Sequence, residues 1–541
     1  MRALKPTTYI VNGTQKGGSP ELSGFESTDL VHWSACGEKP ALAPNKGYDC
    51  EGVFTGCVLL RGPFNESDTM TAIYTSAKQV SSAPISWKIP YQQGSETVSI
   101  AISSDGGHSW VKDARNPILE GPPSELPVTG WRDPYVSSLP SLDRLLFRKS
   151  GQYMYATLSG GIADLTPTVF LYSIPSNNLL DWDFLGLLFQ FPLDYRPDEK
   201  WSGSFGRNIE CCSIFELAGC PTAIMGTEGN DTRWCIWMTG RFEIQDGKIS
   251  WIYSKSGVID WGGFYAASTS EGFSGDRRVL MGSVNYAVCS ALTHESLYKG
   301  WILEDGISSE IQQQQGWAGM ASLPRELFSL RLEHVCSSCS SALDKISSFN
   351  CSSDNFGTFT MSTIGIRPAS ETLLLRETSC HSSFRAFEFR DAYKVAKMLL
   401  HSRTWELEVV IDLTASCKVF SVSINHSFNE RTVVSFTPSE EELTVDRSAS
   451  TQKEDIQTGI KRGPLTLFQF KDPDTGACRK EALHLRIFFD VSVIEIYAND
   501  RFALSTRVYP SGDMKPMNSF LRCSIDGTDA CSNFSADLWQ R

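Results

Sequence analysis

The sequence predicts an all-β protein, a propeller followed by a second β domain of sandwich type. Three observations carry this reading. Helical periodicity is scarce along the 541 residues. Short β-type runs recur instead, such as Met70 to Thr75, Val98 to Ile102 and Leu485 to Phe489, each bounded by Gly, Pro, Asn or Asp. A polar turn with an Asp and a nearby Trp also returns at a loose period: Trp33, Trp110, Trp182 and Trp261 stand 77, 72 and 79 residues apart.

The turn repeat predicts the propeller. Trp33 follows Ser27-Thr28-Asp29, Trp110 closes Ser103-Ser104-Asp105-Gly106-Gly107-His108-Ser109, Trp182 follows Leu180-Asp181, and Trp261 follows Asp260. A Ser or Asp side chain bonds the turn amides while the indole packs between sheets. One such unit per repeat is the mark of radial repetition. Residues 1–335 form the expected propeller. Residues 336–355, rich in Ser and Cys and poor in apolar residues, are expected to be a linker. Residues 356–541 return to alternating runs, Trp405 to Ile411 and Val493 to Tyr497 among them, and form the expected sandwich.

Composition narrows the function. Apolar residues make up 41% and charged residues 21%, a globular balance that excludes wholesale disorder. No run approaches the roughly 18 apolar residues of a membrane helix. The net charge of −13 without a basic stripe disfavours nucleic acid and anionic membranes as partners. A small neutral carbohydrate suits this surface. The first residues hold no apolar stretch of signal-peptide type, yet six Asn-x-Ser/Thr sequons (Asn12, Asn65, Asn230, Asn350, Asn425, Asn533) and 16 cysteines lean towards a secreted glycoprotein.

Three short segments carry candidate chemistry. Arg132-Asp133-Pro134 sets a charged pair at a strand end, either a surface ion pair or part of a site. Glu210 lies between Ile209 and Cys211-Cys212, among apolar and sulfur neighbours, a desolvated setting of the kind a general acid uses. Gly226-Thr227-Glu228-Gly229 holds a third carboxylate in a small-residue turn. Cys336-x-x-Cys339 stands without a His cluster, so a disulfide or surface thiols are expected rather than a metal. No Walker or dinucleotide loop and no serine elbow occurs. No metal or cofactor is expected.

Taken in order, these pieces resemble glycoside hydrolase family 32, the invertases, inulinases and fructosyltransferases, and its fungal fructosyltransferase-like branch in particular. Ser27 to Trp33 is similar to the family's S-x-D-L-x-H-W turn, and Phe54-Thr55-Gly56 to its W/F-S/T-G segment. Ile85 to Tyr91 and Gly94-Ser95-Glu96-Thr97 follow the fungal branch. Arg132-Asp133-Pro134 and Glu210-Cys211 resemble the RDP and EC motifs, with Cys212 where Pro is frequent. Gly226 to Gly229, Asp260-Trp261-Gly262 with Phe264 to Ala267, and Gln315-Gly316-Trp317 with Leu323 to Leu327 continue the match. Ile496 to Asn499 and Phe502 to Thr506 resemble the terminal sandwich.

The resemblance implies a five-bladed propeller, its first blade incomplete, followed by a sandwich. It implies cleavage of β-fructofuranosides, sucrose or fructans, with retention, by hydrolysis or fructosyl transfer. Glu210 would be the acid/base and Asp133 the stabiliser of the charged sugar, oriented by Arg132. Thr55, Glu228 and Tyr265 would bind substrate. It also implies an extracellular protein, monomer or homodimer. The family's nucleophile is an Asp in W-x-N-D-P-N-G or a variant, and no residue before Asp29 resembles that motif. A chain recorded without its start is expected. The alternatives are a carbohydrate-binding pseudoenzyme and a sialidase-like propeller, the latter suggested by Ser103 to Trp110.

Overall fold

The turn repeat becomes a repeated hydrogen-bond pattern in the computed structural model. It describes residues 7–13, 21–37, 39–78, 80, 85–230, 233–271, 277–284, 320–354, 356–385, 388–390, 393–511, 519–526 and 530–541. The expected match at Gln315-Gly316-Trp317 lies outside them. Trp33, Trp110 and Trp182 each donate their indole N–H to the carbonyl three residues back, on Leu30, Gly107 and Leu179, at 3.0, 3.0 and 2.8 Å. Ser27 and Ser103 accept amides of their own turns, from Leu30 at 2.8 Å and Gly107 at 2.9 Å. The fourth repeat differs. Asp260 accepts the amide and hydroxyl of Ser505, and the Trp261 amide donates to Ala503, so this turn ties the two halves of the chain together.

Among the described residues, the first half forms successive antiparallel sheets. A three-stranded sheet holds Thr7–Gly13, Glu21–Ser27 and Ser34–Ala35. Three four-stranded sheets follow, each running outward in chain order. They begin with strands Gly52–Leu59, Val128–Ser137 and Asn208–Leu217. The last sheet begins with Phe264–Glu271, Arg278–Val284 and Arg325–Ser337. The leading strands of neighbouring sheets pack against one another. Separate apolar clusters fill the gaps between successive sheets: Leu22, Val53 and Tyr74 in one, Ile73, Trp131 and Phe170 in the next, then Tyr155, Ile209 and Met225. Sheets arrayed this way, each burying its faces against its neighbours, make a propeller.

The leading strands share one irregularity. Their ladders slip between Val53 and Gly56, Arg132 and Tyr135, Glu210 and Ser213, and Tyr265 and Ser268. At three of these bulges a residue takes a left-handed conformation: Asp133 at φ 59°, Cys211 at φ 50° and Ala266 at φ 51°. A bulge bends the strand and re-aims its side chains. Left-handed backbone is rare for non-glycine residues and clusters at functional sites.

The expected boundary falls inside a sheet. Phe359–Pro368 pairs with Arg325–Ser337, so the last propeller sheet takes in a strand assigned above to the sandwich. Segment 336–355 is likewise not an exposed linker: it contains strand Asn350–Ser353, and its Leu343, Ile346 and Phe349 are buried with Trp201 and Phe468. Three apolar residues spaced through a polar stretch are enough to anchor it, which a composition average conceals.

Two sheets of six and seven strands form the sandwich. Alternation builds its core: Leu407, Val409 and Ile411 of one sheet meet Phe420, Val422 and Ile424 of the other. At the junction, fully buried Arg325 pairs with Asp260 at 2.9 Å and Glu495 at 3.0 Å. Among the described residues no helix is long and apolar enough to cross a membrane.

Candidate active site

The bulged leading strands, with the strand Cys220–Glu228 beside one of them, bring five of the six expected site residues together. Arg132 lies at the centre, buried. Its Nη1 donates to Glu96 Oε1 at 2.6 Å, and both Nε and Nη2 reach Glu210 Oε1 at 3.3 Å. Glu228 Oε2 lies 4.0 Å from the same guanidinium. The Tyr265 hydroxyl donates to Glu210 Oε2 at 3.1 Å. Glu210 therefore sits among polar groups, contrary to the apolar setting expected from Ile209 and its cysteines. Ordinary strand alternation is the reason: Ile209 and Cys212 turn into an apolar cluster, while Glu210, on the face it shares with Asn208, meets Arg132 and Tyr265.

Asp133 is 2% exposed. Its own amide donates to Thr75 Oγ1 at 2.8 Å, and its Oδ2 accepts the Cys211 amide at 2.9 Å. Its Oδ1 is buried and has no hydrogen-bond partner among the described residues. A buried carboxylate oxygen left unpaired is costly, so it calls for a functional account. Burial raises the Asp133 carboxyl above the ordinary range; Arg132 opposes this and the Glu210 charge adds to it. Burial also raises Glu228, with Glu210 adding and Arg233 and Arg132 opposing. Several buried carboxylates around one guanidinium cannot all hold full charge cheaply.

The supporting residues come from adjacent strands. Glu228 Oε1 pairs with Arg233 at 2.7 Å, and its Oε2 accepts from Asn208 at 3.1 Å. Thr129 in turn donates to Asn208 Oδ1 at 2.9 Å. Gly226 makes room for Tyr265, since a Cβ there would lie 2.8 Å from the ring. Glu96 accepts the Trp131 amide as well as Arg132, fixing the strand that carries Asp133. Sequence reasoning did not assign Glu96, Asn208 or Arg233 to the site. Glu96 lay within a quoted motif and Asn208 two places before Glu210, one pleat away on the same face; Arg233 carried no signal. Thr55 falls elsewhere. It lines a separate cavity of about 1160 Å³ with Leu30, Trp33, Thr269 and Trp405.

Two buried carboxylates beside an Arg and a Tyr, one of them presenting an unpaired oxygen, are an arrangement that glycoside cleavage can use. Residues 9–336 match the N-terminal domain of glycosyl hydrolases family 32, and residues 371–539 match the family's C-terminal domain. The chain belongs to glycosyl hydrolase family 32. It is 22% identical to a levanase of Bacillus subtilis over 422 residues, 76% of this chain and 50% of the levanase, so it spans half the length of that relative. A β-fructofuranosidase of Aspergillus kawachii superposes with a TM-score of 0.83 at 26% identity, over 98% of this chain and 89% of that one. A fructosyltransferase from A. japonicus superposes with a TM-score of 0.82 at 24% identity, over 99% and 91%, and shares the fold.

Proposed function

We propose that this protein acts on β-fructofuranosides, sucrose or fructans, by the retaining route, with Glu210 as acid/base and Asp133 as stabiliser of the charged sugar. One observation carries the reading: the unpaired, buried Asp133 Oδ1 beside the Arg132–Glu210 pair. A fructosyl hydroxyl supplies the missing donor, and the carboxylate gains most as positive charge develops on the ring. Glu210 delivers its proton to the leaving oxygen and recovers one from water, giving hydrolysis, or from a second sugar, giving transfer. Tyr265 and Arg132 hold Glu210 in place, and Glu228 lines the substrate side. The successive sheets are five blades, the propeller passes to the sandwich after Pro368, and the protein works outside the cell.

The nucleophile is proposed to come from a further strand of W-x-N-D-P-N-G type, which the sequence does not contain. The 1160 Å³ cavity, between Leu22 and Phe25 of the first sheet, Leu59 of the second and Phe489 of the sandwich, has room for one more strand beside the first sheet. The test compares residues 1–541 with the same chain carrying such a strand fused ahead of Met1, assaying fructose release from sucrose and inulin. The fused chain is expected to turn over and residues 1–541 alone to fall orders of magnitude below roughly 10 per second, an ordinary enzyme value. Ordinary turnover by residues 1–541 would mean that another carboxylate attacks. Silence in both, with sugar binding intact, would favour a carbohydrate-binding pseudoenzyme.

A further inference from the structure

Arg132 is not shared evenly among the carboxylates around it. Its Nη1 lies 2.6 Å from Glu96 Oε1, whereas Nε and Nη2 both stand 3.3 Å from Glu210 Oε1. Charge-assisted N–H···O bonds run about 2.7–2.9 Å. The guanidinium is therefore paired with Glu96 and only leans on Glu210. Local structure puts Glu96 there. The Ser95 amide closes a turn on the Gln92 carbonyl at 3.0 Å, with Gly94 at φ 78°. Glu96 follows as the first residue of strand Glu96–Ser103 and is fully buried. Its Oε2 crosses to the next sheet and accepts the Trp131 amide at 2.8 Å. Both of these partners donate and neither can accept, so Glu96 stands there as a carboxylate, its charge set against that of Arg132.

We propose that Glu96 is a positioning residue for the acid: it takes up the charge of Arg132 and so leaves Glu210 able to hold the proton it must deliver. The use of that proton rests on the reading of Glu210 as acid/base; the hold of Glu96 on it does not. The cause is electrostatic. An unopposed guanidinium beside a buried carboxyl favours the ionised form, by about 1–3 pH units. A carboxylate bonded to the same guanidinium works against this, by offsetting its charge and by holding the group back. The other groups that face Glu210 are Asp133, Cys211, Glu228 with its partner Arg233, and the Tyr265 hydroxyl. Asp133 and Glu228 are acidic, and Arg233 is bound to Glu228. Among the described residues Arg132 is the cation in bonding contact with Glu210, and Glu96 is its shortest partner. Tyr91, from the loop before the turn, faces Glu96 in its own right.

Infrared titration of residues 1–541 tests this without any turnover. The difference between the chain and its Glu210→Gln variant isolates the carboxyl band of protonated Glu210 as pH is varied. In a Glu96→Gln background that band should vanish at a pH lower by about one unit or more. Glu96→Asp keeps the charge but shortens the reach. It should move the band the same way by less, and it serves as the test if Glu96→Gln does not fold. A band that stays in place in every folded variant, or that moves further with Asp than with Gln, overturns the proposal.

The chain carrying the nucleophile strand shows the consequence. There Glu96→Gln should lower sucrose turnover about tenfold on the alkaline side of the pH profile. On a substrate whose leaving group has a low pKa the loss should stay under about twofold. In a Glu210→Gln background the same change should also cost less than about twofold. Equal losses on both substrates, or in both backgrounds, would make Glu96 a structural residue and overturn the proposal as well. If the fused parent releases no fructose while the band still shifts, the fructosidase reading fails and the hold of Glu96 on Glu210 stands.

Discussion

Two clusters of charge, one in the propeller and one on the sandwich, use the same residue types to opposite ends. On the sandwich, Glu406 accepts from Arg376 at 2.6 Å and Arg486 at 2.7 Å, and Glu408 accepts from Arg376 at 2.6 Å and His484 at 2.7 Å. Carboxylates and cations balance there. The bond from His484, with Arg376 assisting against partial burial, lowers the Glu408 carboxyl to about 2. In the propeller, Glu96, Asp133, Glu210 and Glu228 surround Arg132, with Arg233 on the outer side of Glu228. Carboxylates outnumber arginines, burial is deeper, and one oxygen has no partner. The sandwich cluster is arranged to be stable in itself. On the proposed reading, the positive charge and hydroxyl donors of a sugar transition state would relieve the propeller cluster.

The comparison breaks most sharply at Glu210. In the chain carrying the nucleophile strand, Glu210→Gln keeps shape and the Arg132 contact but loses the proton, so turnover should fall by roughly 10²–10⁴. A substrate whose leaving group has a low pKa should lose much less. Equal loss on both kinds of substrate would remove Glu210 from the acid role. On the sandwich, Glu406→Gln should leave turnover per folded molecule within about twofold while lowering the melting temperature, since it strips a partner from Arg376 and Arg486.

Asp133→Asn should come next. Turnover should fall by roughly 10²–10³, the usual cost of one preorganised electrostatic group. Ground-state binding should weaken far less. The melting temperature should hold or rise, because one buried negative charge is gone from an overcrowded site. Unchanged turnover with a lowered melting temperature would reduce Asp133 to a structural partner of Arg132.

Much of this was legible in the chain and some was not. The turns at Trp33, Trp110 and Trp182 could be read because their hydrogen bonds close within a few residues. Trp261 looked like a fourth copy, but its turn is completed by Ala503 and Ser505, a partner about 240 residues away that spacing cannot reveal. Arg132, Asp133, Glu210, Glu228 and Tyr265 were identifiable because each sits in a short motif on or beside a bulged leading strand. Arg233 and Asn208 were missed because they act through Glu228 and carry no motif. The boundary near residue 336 coincides with the end of the N-terminal family match, but composition did not show that Phe359–Pro368 pairs with the last propeller sheet, because that pairing is long-range.

The smallest effect is the response of the two clusters to pH, where their signs differ. Glu408 is held below the ordinary carboxylate value, so its contribution to stability is present above that value and is lost as pH falls towards about 2. Asp133 and Glu228 are held above it by burial. Their contribution is full below the ordinary carboxylate value and is lost as pH rises through their raised values. Acidification from about pH 7 to about pH 5 should therefore relieve the propeller site, and further acidification should undo the sandwich cluster. Melting followed across this range should show a gentle rise and then a fall. Asp133→Asn should flatten the first limb and leave the second. Glu408→Gln should do the reverse and cost roughly 1–3 kcal/mol near neutrality, as a partly buried pair does when one partner is removed. If Asp133→Asn left the first limb unchanged, the excess of buried charge would not be what sets the propeller site apart from the sandwich.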